Sequence, residues 1–135
     1  MPACPQRRKL ILTALVSAAP LAWSAEEPEN VKGIRLALAD AFATQDRRKI
    51  GALILDTHSG LRLFTFSKEN SAYWEDAGRA LREARFVSSG TDKVMYAIYW
   101  PTSGEYKKER HISFLRRDVQ WELDFASFMG PFPHL

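Results

Sequence analysis

Asp56-Thr57-His58-Ser59-Gly60 brings an acid, an imidazole and a hydroxyl together in one short stretch, the groups that nucleophilic hydrolysis uses. Catalytic triads are assembled by a fold from distant segments, and neighbours in a turn do not present their side chains tip to tip. The same residues are also turn chemistry, with Asp initiating and Gly accepting positive φ, and that is the reading adopted. A metal would have to be held by His58, His111 and His134, which form no HxxxH or HxH spacing, or by Cys4, the one cysteine. No glycine-rich phosphate loop and no G-x-S-x-G elbow is present. No catalytic residue, metal ligand or cofactor is therefore expected.

Two softer constellations remain. Tyr96 shares a strand face with Val94, Ile98 and Trp100, while His111 and Ser113 share a face with Leu115. If Tyr96, His111 and Ser113 turn into one cavity, they can bind a carbonyl or hydroxyl; the competing reading makes Tyr96 a core-edge tyrosine and His111 a solvated edge histidine. The second constellation is Tyr73 beside Trp74. Two consecutive aromatics on a helix cannot both face one core, so one of them is a candidate anchor for a protein partner.

The elements that must position these groups follow from periodicity. Asn30 can cap a helix whose stripe is Val31, Ile34, Leu38, Ala41 and Phe42, running to about Thr44, with Lys32, Arg35 and Asp40 on its other face. For residues 50–55 two readings stay open: Asp46 caps a short helix ending near Leu55, or Ile50 to Leu55 is a buried strand turning at Asp56–Gly60 into a second strand, Leu61 to Phe66. A helix capped by Ser71 carries Tyr73, Ala77, Ala80, Leu81 and Ala84 on one face, and Glu75, Arg79 and Glu83 at four-residue spacing on the outer one. Three strands follow, at Val94 to Trp100, His111 to Leu115 and Val119 to Phe125, the last alternating between apolar and polar residues. Turns are expected at Pro101-Thr102-Ser103-Gly104 and Arg117-Asp118, and residues 129–135 form a proline-containing tail. Helices gathered on one face of an antiparallel sheet that ends in a three-strand meander define an α+β domain.

With 135 residues and 46% hydrophobic content, the chain suits one domain with a core, spanning residues 31–128 behind a flexible lead-in at 25–30. Ahead of it, Arg7, Arg8 and Lys9 precede an uncharged run from Leu10 to Trp23, the pattern of a secretory signal peptide over residues 1–24. The run is too short for a bilayer-spanning helix and contains Pro20, so no transmembrane segment is expected in the mature chain. Arg7-Arg8 also suits twin-arginine export as an alternative to the Sec route, and either leads to the periplasm. Removing the three basic residues leaves sixteen basic against sixteen acidic side chains. A neutral domain offers no cationic stripe, so no nucleic acid is expected as a partner.

The segments "LADAFATQDRRKIGALIL" and "ISFLRRDVQWELDF" resemble the first two helices and the final hairpin of the nuclear-transport-factor-two-like, or ketosteroid-isomerase-like, superfamily with its SnoaL-like domains. The resemblance implies a curved, cone-like sheet around helices, a pocket at the open end, and a homodimer. No catalytic motif of that family maps residue by residue onto this chain. "IGALILDTHSGLRLFTF" is similar to the opening strands of penicillin-recognising serine hydrolases, but Ser71 is followed by Trp74 where their Ser-x-x-Lys needs lysine. The expectation is an exported, non-catalytic module that binds a protein partner, as inhibitors and immunity proteins do; the alternative is a small-molecule pocket protein or isomerase-like enzyme.

Overall fold

The computed structural model describes residues 26–100 and 109–129. The expected signal peptide, the 101–104 turn and residues 130–135 of the tail lie outside them.

Helix α1 (Glu29–Ala43) and the short α2 (Arg47–Leu53) lead into β1 (Ile54–Leu55). Residues 56–70 carry two 3-10 turns, Gly60–Leu63 and Lys68–Asn70. Helix α3 (Ser71–Arg82) follows, then β2 (Arg85–Ser89), β3 (Lys93–Tyr99), β4 (Glu109–Arg117), β5 (Gln120–Asp124) and a terminal helical turn, α4 (Phe125–Met129). The sheet order is β1-β5-β4-β3-β2. The chain enters at one edge, crosses to the other through α3, and returns as an antiparallel meander whose last strand pairs in parallel with β1, Ile54 opposite Leu123. That pairing joins the first half of the chain to the last.

The domain is α+β as expected, but the sheet is mixed and open, with β1 and β2 as edges, and does not curl into a cone. The volume that a cone would leave as a pocket is filled. Phe42, Trp74, Tyr96, Trp100, Phe114, Phe125 and Phe128 are buried between helices and sheet; the rings of Trp74, Phe42, Phe128 and Trp100 pack in series, Tyr96 packs against Phe114, and Phe125 against Phe64. With two residues in β1 and five in β5, that side of the sheet is also too short to bend over the helices.

Several local expectations need correction. The open question at residues 50–55 resolves as helix then strand: the Asp46 carboxylate accepts from the Lys49 N–H (3.1 Å), capping α2, and only Ile54 and Leu55 are extended. No strand runs from Leu61 to Phe66, because Asp56 accepts from the amides of Gly60 (2.7 Å) and Leu61 (2.9 Å) and winds the chain into a 3-10 turn. The left-handed residue there is Ser59, φ 52°, while Gly60 opens the 3-10 turn. The buried stripe of α3 is Trp74, Ala77, Gly78, Ala80 and Leu81, with Tyr73 off it. Val119 is 96% exposed, because Asp118 (φ 58°) and Val119 are the two-residue hairpin loop between Arg117 and Gln120; β5 therefore starts at Gln120. Strand β2 has no counterpart among the expected elements, since Ser88 and Ser89 look like a turn; they pair instead with Met95 and Val94 after a bulge at Val87.

Helix α3 lies close on α1. A Cβ at Gly78 would stand 2.5 Å from the Ala39 carbonyl oxygen and 3.1 Å from the Ala43 Cβ, so glycine is what permits this approach. Arg82 of α3 pairs with Asp40 of α1 at 2.6 Å on the outside of the same contact.

Candidate functional site

The polar strand residues do not converge. Tyr96 lies opposite Ile112 on the helix-facing side of the sheet and is fully buried. His111 lies opposite Ala97 on the other face, its side chain 54% exposed and 3.9 Å from Glu109. Ser113 is on the His111 face, and its backbone N–H donates to Ser127 Oγ (3.1 Å). Register alone separates Tyr96 from His111 and Ser113, because odd and even positions of paired strands face opposite ways. The proposed cavity of Tyr96, His111 and Ser113 is therefore not formed. On the outer face His111 belongs instead to a polar group around Glu109, which accepts from Arg85 (2.8 Å) and Tyr99 (3.3 Å).

Tyr73 and Trp74 part company at the surface. Trp74 is 1% exposed: it stacks on Phe66 (4.5 Å) and Phe42 (5.6 Å), and its indole N–H donates to the Thr65 carbonyl (3.0 Å). Its polar edge and both ring faces are already engaged. Tyr73, one position round the helix, is 40% exposed and leans on Trp100 with ring centroids 5.1 Å apart. Partial burial pushes the Tyr73 hydroxyl pKa up, against the opposing positive charge of Arg110.

Beside Tyr73 lies a groove of about 270 Å³, lined by Leu63, Phe64, Thr65, Asn70, Tyr73 and Trp74. Its walls are built locally. The Asp56 turn projects Leu63, which is 46% exposed. Arg47 holds the next residue by donating to the Phe64 carbonyl (2.8 Å) and covers the Phe66 ring at 4.8 Å. Asn70 donates to the Thr65 carbonyl (3.0 Å) and fixes the far rim. The floor rests on an aromatic stack that runs from Trp100 through Phe128 to Phe42.

Arg110 locks that floor from below. It donates to the carbonyls of Trp100 (3.2 Å), Ser127 (2.8 Å) and Phe128, so one guanidinium satisfies the end of α4 and the end of β3. Burial lowers its pKa, and the neighbouring Tyr73 opposes that shift.

Sequence reasoning missed another cluster. Arg35 of α1 is 5% exposed, and its Nε and Nη2 donate to the two carboxylate oxygens of Glu27 (2.8 and 3.2 Å), while Tyr96 Oη donates to Glu27 Oε2 (2.5 Å). Glu27, inside the segment expected as a flexible lead-in, is thus tied to helix and sheet. Arg35, expected on the other face of the helix with Lys32 and Asp40, falls instead on the buried side of α1 with Val31, Leu38 and Phe42; the signal that could have shown it is its four-residue spacing from Val31 and three-residue spacing from Leu38. Burial raises the Glu27 pKa, but the hydrogen bonds from Arg35 and Tyr96 and the charges of Arg35 and Lys32 together hold it below 4.5. Burial and the adjacent carboxylate push the Tyr96 hydroxyl far above 10.0.

Among the described residues no cluster of three His, Cys, Asp or Glu side chains could hold a metal ion, and no helix is long and apolar enough to cross a membrane. No protein-family model, curated protein or solved structure matches the chain.

Proposed function

We propose that the chain is an exported binding module, not an enzyme, and that it recognises a protein partner in the periplasm through the groove beside Tyr73. One observation carries this reading: Leu63 and Tyr73, two of the large hydrophobic side chains exposed among the described residues, both line one groove whose backbone is pinned by Arg47 and Asn70. Exposed apolar side chains scattered singly need no explanation, whereas a pair framing a supported concavity suits an aromatic or aliphatic anchor from a partner. The occupant that fits is a short loop with one apolar side chain, its backbone meeting the polar rim at Thr65 and Asn70. Export is supported by the Arg7-Arg8-Lys9 and Leu10–Trp23 pattern.

The experiment is affinity capture from periplasmic extract with the purified exported chain as bait, followed by mass spectrometry and titration of what is captured. One stoichiometric partner is expected, and Tyr73→Ala is expected to weaken its binding about 10-fold or more while the domain remains folded at a lower melting temperature, since its ring contacts with Trp74 and Trp100 are lost. A partner bound equally by Tyr73→Ala and Leu63→Ser removes the groove from the interface. Trp74→Ala does not test the surface, because it removes a core ring.

A further inference from the structure

The Arg35 cluster has the construction of a ligand seat rather than of a simple surface ion pair. Both partners of Glu27 are held independently of it. Arg35 Nη1 donates to the carbonyls of Leu81 (2.7 Å) and Arg82 (2.9 Å), which fixes the guanidinium at the C-terminal end of α3 and leaves its Nε–Nη2 edge pointing at Glu27. Tyr96 is fixed in the sheet, edge-on to Phe86 (6.0 Å) and Phe114 (5.5 Å), with Arg35 5.2 Å over its ring. A planar fork of two N–H groups plus one phenol O–H, prearranged in a buried site, is selective for a carboxylate.

Glu27 itself belongs to no element: it precedes α1 and reaches the seat as a pendant residue, its side chain 18% exposed. Withdrawing it would remove two of the four hydrogen bonds of a guanidinium whose side chain is 6% exposed, and a buried charge without its partner strongly favours a replacement. We propose that Arg35 and Tyr96 form a carboxylate-binding site, filled in this structure by the chain's own Glu27, that accepts an external carboxylate when Glu27 is withdrawn. The ligand class is a small organic carboxylate or the acidic side chain of an extended peptide. Glu27 acts as a tethered ligand, so an external one competes against a high local concentration. This site is independent of the Tyr73 groove.

The test is thermal unfolding of the Glu27→Ala chain at pH 7 and constant ionic strength, titrated with sodium acetate, sodium chloride, acetamide, or a blocked Ala-Glu-Glu-Pro peptide. The expected result is a lowered melting temperature that rises saturably with acetate or with the peptide, but not with chloride or acetamide, and a wild-type chain that does not respond. The Arg35 Nε–H resonance should move along the same titration. Rescue by acetate alone identifies a small-molecule seat, and tighter rescue by the peptide identifies an acidic segment; either supports the site. If Glu27→Ala is unfolded in chloride, folding on addition of acetate also supports it. Absence of any carboxylate-specific response in melting temperature, folding or the Arg35 resonance, while Glu27→Gln remains folded, overturns it.

Discussion

Gly78→Ala and Gly33→Ala make the same chemical change in two helices of one domain, and the structure requires opposite outcomes. At Gly33, on the exposed side of α1, an added Cβ meets nothing within 4 Å beyond its chain neighbours and its own helix backbone. The substitution there gains helix propensity, about 1 kcal/mol, and should raise the melting temperature by roughly 4 °C for a domain of this size. At Gly78 the same gain is opposed by a backbone oxygen 2.5 Å from the new carbon. A relaxed C···O approach is about 3.3–3.6 Å, so α1 and α3 must separate by roughly 1 Å there. A gap of that size forfeits about a quarter to a half of the dispersion energy of the atoms it parts. Overpacking of this kind costs about 1–3 kcal/mol, and because the obstacle is main chain it belongs at the upper end. The net expectation is a loss of about 2 kcal/mol and a melting temperature lowered by roughly 8 °C, read by two-state thermal or urea unfolding of both variants beside the parent. A rise at Gly78 equal to that at Gly33 would refute the close packing of α1 on α3.

Arg110→Ala leaves the carbonyls of Trp100, Ser127 and Phe128 without their shared donor, and it should destabilise the domain by about 2–3 kcal/mol, with faster amide exchange in α4 than elsewhere as the diagnostic readout. The Glu27–Tyr96 pair sets two limbs of the pH–stability curve. Because the folded-state pKa of Glu27 is depressed, its contribution is present above 4.5 and is lost as pH falls through the folded value, so Glu27→Gln should flatten the acid limb measured by urea midpoints. Because the folded-state pKa of Tyr96 is raised, its contribution is present below 10.0 and fades as pH rises beyond it, when the unfolded chain alone ionises; Tyr96→Phe should flatten the alkaline limb. Unchanged limbs in both variants would mean that the pair is not formed.

What could be read from the sequence was whatever one element decides alone. Of the stripe expected from a 3.6-residue period, Val31, Leu38, Ala41 and Phe42 lie buried on α1 and Ile34 is partly buried; Asp46 caps α2, one of the two readings open for residues 50–55. Strand β2 was hidden because its pairing partner, β3, supplies what Ser88 and Ser89 lack in intrinsic strand preference. The separation of Tyr96 from His111 required the register of β3 on β4, and a slip of one position would have put them on the same face. Alternation within each strand cannot supply that register. The groove was hidden for a similar reason: Tyr73 and Trp74 are equivalent as residue types, and only the rings of Phe42 and Phe66, which sit in α1 and in the loop after β1, decide which of the two is drawn inside. The Arg35 seat is the furthest case, since its fork is oriented by carbonyls from α3, its hydroxyl comes from β3 and its carboxylate precedes α1. A buried arginine on the apolar stripe of a helix nevertheless carries one firm implication by its residue type and position alone. It demands an anion and further acceptors from elsewhere in the fold, and Glu27 from before α1 and the Leu81 and Arg82 carbonyls from the end of α3 supply them.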